Sequence, residues 1–149
     1  MKKLFPQKVK FEIITPCFNE EENINIFIGK FKNKLSQLNL DDYIITVVDD
    51  GSDLKTKHYY DTYEEDTKVR VIELSKNYGH QTAIFAGLEN SLGEYILVMD
   101  IDLQDPIDTA INLFEECLNN NFDFVRGVRT KREGESFAKI FTANFFYKI

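Results

Sequence analysis

The sequence is short of the residues that mark several classes of protein: it has no tryptophan, three prolines and two cysteines among 149 residues. Cys17 and Cys117 lie far apart, without the spacing of zinc ligands, and each sits in or beside an apolar pattern. We therefore expect buried thiols in a reducing compartment. No stretch approaches the roughly 20 apolar residues of a membrane-spanning helix. The positive start Met1–Pro6 is not followed by the apolar region of a signal peptide, so the chain as given is expected to be soluble.

Positive charge is also scarce, since 18 Lys and Arg against 25 Asp and Glu give a formal net charge of −7. Nucleic-acid binding requires a basic surface, so this charge argues against a nucleic-acid partner. The glycine-rich phosphate motifs G-x-G-x-x-G and G-x-x-x-x-G-K-[ST] are absent as well. If this chain binds phosphates, it must hold them by other means.

Hydrophobic residues, by contrast, make up 43% of the chain, enough for the core of one domain over residues 1–149. Apolar runs of strand length alternate with segments of helical periodicity. This alternation predicts an α/β fold, a parallel sheet covered by helices on both faces. The predicted strands are Val9–Thr15, Tyr43–Val48, Val69–Leu74, Tyr95–Met99 and Phe122–Val125.

Helix boundaries are predicted from capping residues. Asn19 is a plausible N-cap for the helix that follows the first strand. A weaker helix is expected within Ser52–Glu65, and the helix after the third strand is expected to end at Gly93. Asp105 is predicted to cap the helix after the fourth strand, with Pro106 at its first position.

The most informative motif is Asp100–Gln104, directly behind the fourth apolar run. Residues two apart on an extended chain point the same way, so Asp100 and Asp102 are expected to converge on one cation. Gln104, two residues further along, is expected to point the same way and offers a neutral oxygen. Hard divalent cations prefer oxygen ligands, and Mg²⁺ is commonly shared between one or two carboxylates and substrate phosphates. Such an acid alone often caps the next helix, but the similar strand end Asp49–Ser52 favours a ligand site.

These motifs all follow predicted strands, and in parallel sheets ligands bind outside the carboxyl ends of the strands. The acidic residues at these strand ends would repel phosphate unless a metal lies between them. The pattern therefore favours a nucleoside diphosphate bridged by a divalent cation to Asp100 and Asp102. Asp50 would then be free to accept hydrogen bonds from the base or ribose, and Arg129 would offset phosphate charge. Phe18 would pack against the base, although an ordinary core aromatic explains it equally well.

Five segments, in the right order and spacing, resemble inverting family 2 glycosyltransferases of the GT-A fold. The closest resemblance is to the polyprenyl-phosphate branch, the dolichyl-phosphate mannose synthases and bactoprenol glucosyltransferases. It covers nearly the whole chain. The segments are Pro16–Asn23, Val47–Ser52, Lys76–Gln81, Asp100–Pro106, and Gly127–Arg129 with Arg132–Glu135.

The resemblance implies a set of site residues. Ile101 stands where the family often has alanine, and Phe18 where it commonly has tyrosine. A divalent metal, Mg²⁺ or Mn²⁺, is implied at Asp100, Asp102 and Gln104. The residues implied for the nucleotide are Pro16, Phe18, Glu20, Val48, Asp50, Ile101 and, at the phosphates, Arg129.

The implied activity is transfer of a sugar from a UDP- or GDP-linked donor to a polyprenyl phosphate, with inversion. The alternative is a noncatalytic module that binds nucleotide sugars. Members of this branch are much longer, so the chain is expected to be the nucleotide-binding half of the GT-A (Rossmann-like) fold, truncated at its C-terminus. The acceptor-side catalytic groups would then be missing, and the chain would not turn over alone.

The last segment of the sequence, Ser136–Ile149, is predicted to be a helix rich in phenylalanine. Its apolar face is expected to contact a membrane surface, a second copy of the chain or the missing part. Packing back on the sheet is the simpler explanation and stays open. The expected location is the cytoplasm, at the cytoplasmic face of the membrane in a full-length protein.

Overall fold

Four apolar runs form a parallel sheet in the computed structural model, which describes residues 8–120 and 122–128. Their β-branched residues suit a pleated sheet buried on both faces. Helices alternate with the strands, so the predicted α/β fold is confirmed. The elements in chain order are β1 (Val9–Cys17), α1 (Glu21–Gln37), β2 (Tyr43–Asp49), α2 (Leu54–Asp61), β3 (Val69–Glu73), α3 (His80–Glu89), β4 (Gly93–Val98) and α4 (Ile107–Asn120).

The strand order is β3-β2-β1-β4. The chain builds outward from β1 to β3 and then crosses back to place β4 on the other side of β1. The strand order therefore reverses between β1 and β4, and in parallel sheets the carboxyl ends of the strands at such a reversal are where ligands bind. The in-register pairs Cys17–Asp49 and Ile14–Val98 bring the strand ends to one edge of the sheet.

The main core lies on the face of the sheet covered by α1. The apolar side chains of α1 recur at helical spacing and are buried against alternate residues of β1 and β2. Ala110 and Ile111 of α4 join the same core. The buried stripe of α1 is Ile24, Phe27, Ile28, Phe31 and Leu35.

The opposite face carries α3 over a smaller core of Ile14, Val48 and Ala83. Gly87 of α3 allows close approach to the sheet, since a Cβ atom there would lie 2.6 Å from Cγ2 of Ile14. Among the described residues, no helix is long and apolar enough to cross a membrane.

Two predicted helix boundaries are wrong. Asn19 does not cap α1, which begins at Glu21 after Glu20. Instead Asn19 has a φ of +54°, and its side chain accepts a hydrogen bond from the Asp53 amide at 2.9 Å. Gly93 does not end α3 but opens β4, where a Cβ atom would lie 2.6 Å from Cβ of Glu12. In both places a contact distant in sequence overrides the local signal.

The fifth predicted strand is also wrong, because Phe122–Val125 is irregular and Phe122 and Phe124 are exposed. A strand must pair with another strand, but within the described range β4 pairs only with β1, so Phe122–Val125 adds no strand to the sheet. β4 was expected to be buried, yet its residues alternate between exposed and half-buried because it stands at the edge of the described sheet. α4 begins at Ile107, one residue after Pro106. The predicted helix Ser136–Ile149 lies outside the described residues.

Candidate functional site

The motifs that follow the predicted strands line a cleft of about 340 Å³ at the carboxyl ends of the strands. Its wall is formed by the end of β1, the residues that follow β2 and β4, and the loop before α3. The cleft therefore lies at the point where the strand order reverses, as the topology requires. Its lining residues are Pro16, Cys17, Phe18, Glu20, Asp50, Asn77, Gly79, His80, Asp100, Ile101 and Asp102.

Asp50 is only 3% exposed and anchors the loop before α3. Its Oδ1 accepts a hydrogen bond from the Tyr78 amide at 2.8 Å, and its Oδ2 accepts one from the Gly79 amide at 2.8 Å. The expectation that Asp50 is free to accept from a ligand therefore needs correction. Each oxygen keeps a second lone pair, so a role toward the nucleoside stays a prediction beside this structural role.

Asp49 points to the opposite face from Asp50, because neighbouring residues of a strand alternate. It is fully buried, and its Oδ1 accepts a hydrogen bond from the Tyr60 hydroxyl at 2.9 Å. The Tyr60 hydroxyl also lies 3.4 Å from Sγ of Cys17. The second acidic motif thus divides into a core anchor, Asp49, and a cleft residue, Asp50.

Burial sets the chemistry of the two thiols. Cys17 is buried as predicted, and desolvation raises the pKa of its thiol to about 11. Burial likewise raises the pKa of Tyr60, helped by the neighbouring Cys17 and Asp49. Cys117 is only half-buried, which corrects the expectation of two buried thiols, and its Sγ lies 3.0 Å from the Phe122 carbonyl oxygen.

We expect Cys17 to resist alkylation by iodoacetamide at pH 7, because the thiolate is the nucleophile and a raised pKa leaves little of it. Its labelling should accelerate as the pH rises toward 11. Mass spectrometry of the chain labelled at pH 7 and pH 9 measures this, with Cys117 as the internal reference and Cys117→Ser as the control. Equal labelling of both thiols at pH 7 would show that Cys17 is accessible.

The acidic pair after β4 keeps the expected alternation. Asp100 and Asp102 are exposed, and Ile101 between them is 4% exposed and packs into the main core. Leu103 has a φ of +56°, so the backbone is not extended between Asp102 and Gln104. Gln104 was expected to point the same way as Asp100 and Asp102, but it is not among the residues that line the cleft. Its backbone amide instead donates a hydrogen bond to Oδ1 of Asp102 at 3.1 Å.

The donor set fits a divalent cation that is shared with a substrate. Two exposed carboxylates supply the hard oxygen ligands that Mg²⁺ and Mn²⁺ prefer. Within residues 8–120 and 122–128, no group of three or more His, Cys, Asp and Glu side chains is placed to hold a metal by itself. The remaining ligands would have to come from phosphates and water.

The other predicted nucleotide residues divide into three groups. Pro16, Phe18 and Glu20 line the cleft, and Phe18 is 44% exposed, so it is not a core aromatic. Val48 is fully buried in the smaller core and does not line the cleft. Arg129 lies outside the described residues.

Asn77, Gly79 and His80 were not among the predicted nucleotide or metal residues, yet all three line the cleft. The indication in the sequence that they belong to the site was their position after β3, since ligands bind at the carboxyl ends of the strands. His80 begins α3, and its Nε2 lies 3.4 Å from Oδ1 of Asp100. In the described part of the chain it is the only basic side chain that lines the cleft, against four carboxylates.

The fold is of the α/β class in which ligands bind at the carboxyl ends of parallel strands. The sequence model described as Glycosyl transferase family 2 matches residues 12–148, and the chain belongs to that family.

Relatives and solved structures agree with this assignment. The Bacillus subtilis (strain 168) protein described as uncharacterized glycosyltransferase YkcC is 35% identical over 95% of this chain and 43% of its own length. The Escherichia coli (strain K12) prophage bactoprenol glucosyl transferase homolog is 33% identical over 95% of this chain and 46% of its own length. The chain thus spans less than half the length of these relatives.

Among solved structures, S. aureus TarS 1–349 superposes with a TM-score of 0.59 at 23% identity, over 85% of this chain and 40% of the 1–349 chain. At that identity the likeness shows the shared fold alone. The predicted GT-A architecture is confirmed.

Proposed function

We propose that this chain forms the donor site of a glycosyltransferase that moves a sugar from a UDP- or GDP-linked donor to a polyprenyl phosphate with inversion. One observation carries the proposal: the paired carboxylates Asp100 and Asp102 share a cleft with the ends of β1 and β2. The acceptor class is supported by the E. coli relative, which is named for transfer to bactoprenol. A polyprenyl phosphate is a membrane lipid, so we place the reaction at the cytoplasmic face of a membrane.

The cleft suits the two ends of a nucleotide sugar differently. Phe18 is exposed beside Pro16 at the end of β1 and offers an apolar surface to the base. Asp100 and Asp102 lie across the cleft and would share Mg²⁺ or Mn²⁺ with the diphosphate. Without a cation, the carboxylates of Glu20, Asp50 and this pair would repel a diphosphate.

The reaction that follows is a single displacement at the anomeric carbon. An oxygen of the lipid phosphate forms the new bond to that carbon, and the bond to the β-phosphate oxygen of the donor breaks. The leaving diphosphate carries the developing negative charge, which a bound cation would stabilise. Arg129 would add positive charge at the same phosphates. The attacking phosphate is already anionic, so a strong general base is unnecessary.

The alternative is a noncatalytic module that binds nucleotide sugars without transfer. A transfer assay with radiolabelled UDP-glucose or GDP-mannose and polyprenyl phosphate in liposomes separates the two, run beside a thermal-shift screen of UDP and GDP in Mn²⁺. Stabilisation with transfer would establish the enzyme and contradict the expectation that this chain does not turn over alone. Stabilisation without transfer is the result we expect of the chain by itself, because it would bind the donor but lack the acceptor-side groups. Absence of stabilisation by either nucleotide would contradict both.

Asp50→Ala is expected to weaken binding of nucleosides and nucleotides alike, by about tenfold or more, because hydrogen bonds to charged groups contribute about 1.5–3 kcal/mol. The change removes the acceptor for the Tyr78 and Gly79 amides and so releases one wall of the cleft. Calorimetric titration with uridine, guanosine, UDP and GDP measures the effect. Asp61→Ala is the matched control, since Asp61 is exposed on α2. Unchanged affinity for all four ligands would remove Asp50 from the site.

A further inference from the structure

We propose that His80 is a positioning residue for the cation-binding carboxylate Asp100, and that buried Asp50 fixes its place. The inference rests on the proposed function, because it assigns a role toward the cation that the acidic pair would share with the donor diphosphate. It concerns only how this chain orients its own carboxylates.

The first support is the contact between the two side chains. Nε2 of His80 lies 3.4 Å from Oδ1 of Asp100, and both side chains are at least half-exposed at the cleft. Hydrogen bonds in ligand-free sites are often long and tighten when the ligand binds. The imidazole is therefore in place to donate to this carboxylate.

The second support is the way in which the two carboxylates are held. Asp102 accepts the Gln104 amide on Oδ1, and Asp100 faces His80 through its own Oδ1. In the part of the chain that the structure describes, Oδ2 of neither carboxylate makes a hydrogen bond. One oxygen of each acid thus has a partner, while the other remains available to a cation.

The third support is the anchor behind His80. The preceding residue, Gly79, has a φ of +96°, a conformation that favours glycine. Its amide donates to Asp50, and its carbonyl oxygen accepts from the Thr82 and Ala83 amides at 2.9 and 3.1 Å. A buried acid directly after β2 therefore holds the first turn of α3, and that turn presents His80 to the acid that follows β4.

The consequence is a chain of contacts from Asp50 to Asp100 through the start of α3. Residues that orient a metal ligand typically contribute about 10- to 100-fold to metal affinity. Because His80 is exposed, its loss should leave the fold intact and affect the cation specifically. An orienting hydrogen bond can be supplied by glutamine, whose side-chain amide also donates to a carboxylate.

The test measures Mn²⁺ affinity from the electron paramagnetic resonance signal of free Mn²⁺, with UDP or GDP present, in the full 149-residue chain. His80→Ala should weaken Mn²⁺ binding about tenfold, and His80→Gln should recover most of that loss. His58→Ala is the matched control, since His58 is exposed on α2 and pairs with Asp61. Thermal unfolding should be unchanged in all three variants.

Three outcomes would overturn the inference. If His80→Ala binds Mn²⁺ as the parent does, His80 does not orient the pair. If pulsed resonance shows ¹⁴N coupling from an imidazole that is lost in His80→Ala, His80 is a direct ligand and not a positioning residue. If the parent chain binds no Mn²⁺ with either nucleotide, the proposed donor site fails together with this inference, which distinguishes the two failures.

Discussion

Asp102→Asn is expected to reduce the affinity for UDP or GDP in Mn²⁺ by at least about tenfold, or about 1.4 kcal/mol. The change keeps the size of the side chain but removes one of the two negative charges that would hold the cation in the proposed site. Asp102 is exposed, and the hydrogen bond it accepts from the Gln104 amide remains possible for asparagine. The fold should therefore persist while the metal-dependent part of binding is lost.

Calorimetric titration of the parent and the variant, each in Mn²⁺ and in chelator, measures this effect. In chelator the two proteins should bind equally weakly. Asp108→Asn is the matched control, because Asp108 is an exposed acid on α4 that pairs with Lys34 and does not line the cleft. If the parent loses affinity in chelator and the variant loses the same amount, Asp102 does not hold the cation.

Phe31→Ala is expected to lower the free energy of unfolding by about 3–5 kcal/mol, the usual cost of deleting a buried aromatic side chain. Phe31 is fully buried in the main core, where its ring centroid lies 4.8 Å from that of Phe27. Its loss opens a cavity between α1 and the sheet.

Urea unfolding followed by circular dichroism measures this difference, and an unchanged slope shows that only stability has altered. Ile26→Ala is the control on the same helix, since Ile26 is 50% exposed and should cost no more than about 0.5 kcal/mol. A cost at Phe31 no larger than that at Ile26 would mean that α1 is not packed as described.

The sequence was sufficient for the sheet and for the rim because both depend on local patterns. Each of the four strands is rich in apolar residues, and the stripe of α1 repeats at helical spacing. Once parallel pairing is inferred, the carboxyl ends must meet at one edge. Parallel pairing alone thus predicts that Phe18, Asp50 and Asp100 lie together, and all three line the cleft.

What the sequence could not supply depends on contacts between distant residues. Asn19 is a residue type that often caps helices, but its side chain instead accepts a hydrogen bond from the Asp53 amide and so links two loops. Gln104 has the right parity, but the positive φ of Leu103 breaks the extended chain before it. Phe122–Val125 has strand composition but pairs with no strand among the described residues. Tertiary context decided each of these positions.

The different roles of Asp49 and Asp50 could not be predicted from the sequence either. Asp49 and Asp50 are adjacent in sequence and identical in type, yet one bonds Tyr60 in the core and the other bonds the loop before α3. Strand parity predicts that they point to opposite faces, but not which face carries the cleft. That choice is set by the crossover that places β4 beside β1.

The most direct test of the central claim is anomalous diffraction from crystals of this chain grown with Mn²⁺ and UDP or GDP. We predict a manganese peak between the diphosphate and the carboxylates of Asp100 and Asp102, with the base against Phe18. A nucleotide bound elsewhere, or bound in the cleft with the metal away from both carboxylates, would contradict the proposed donor site.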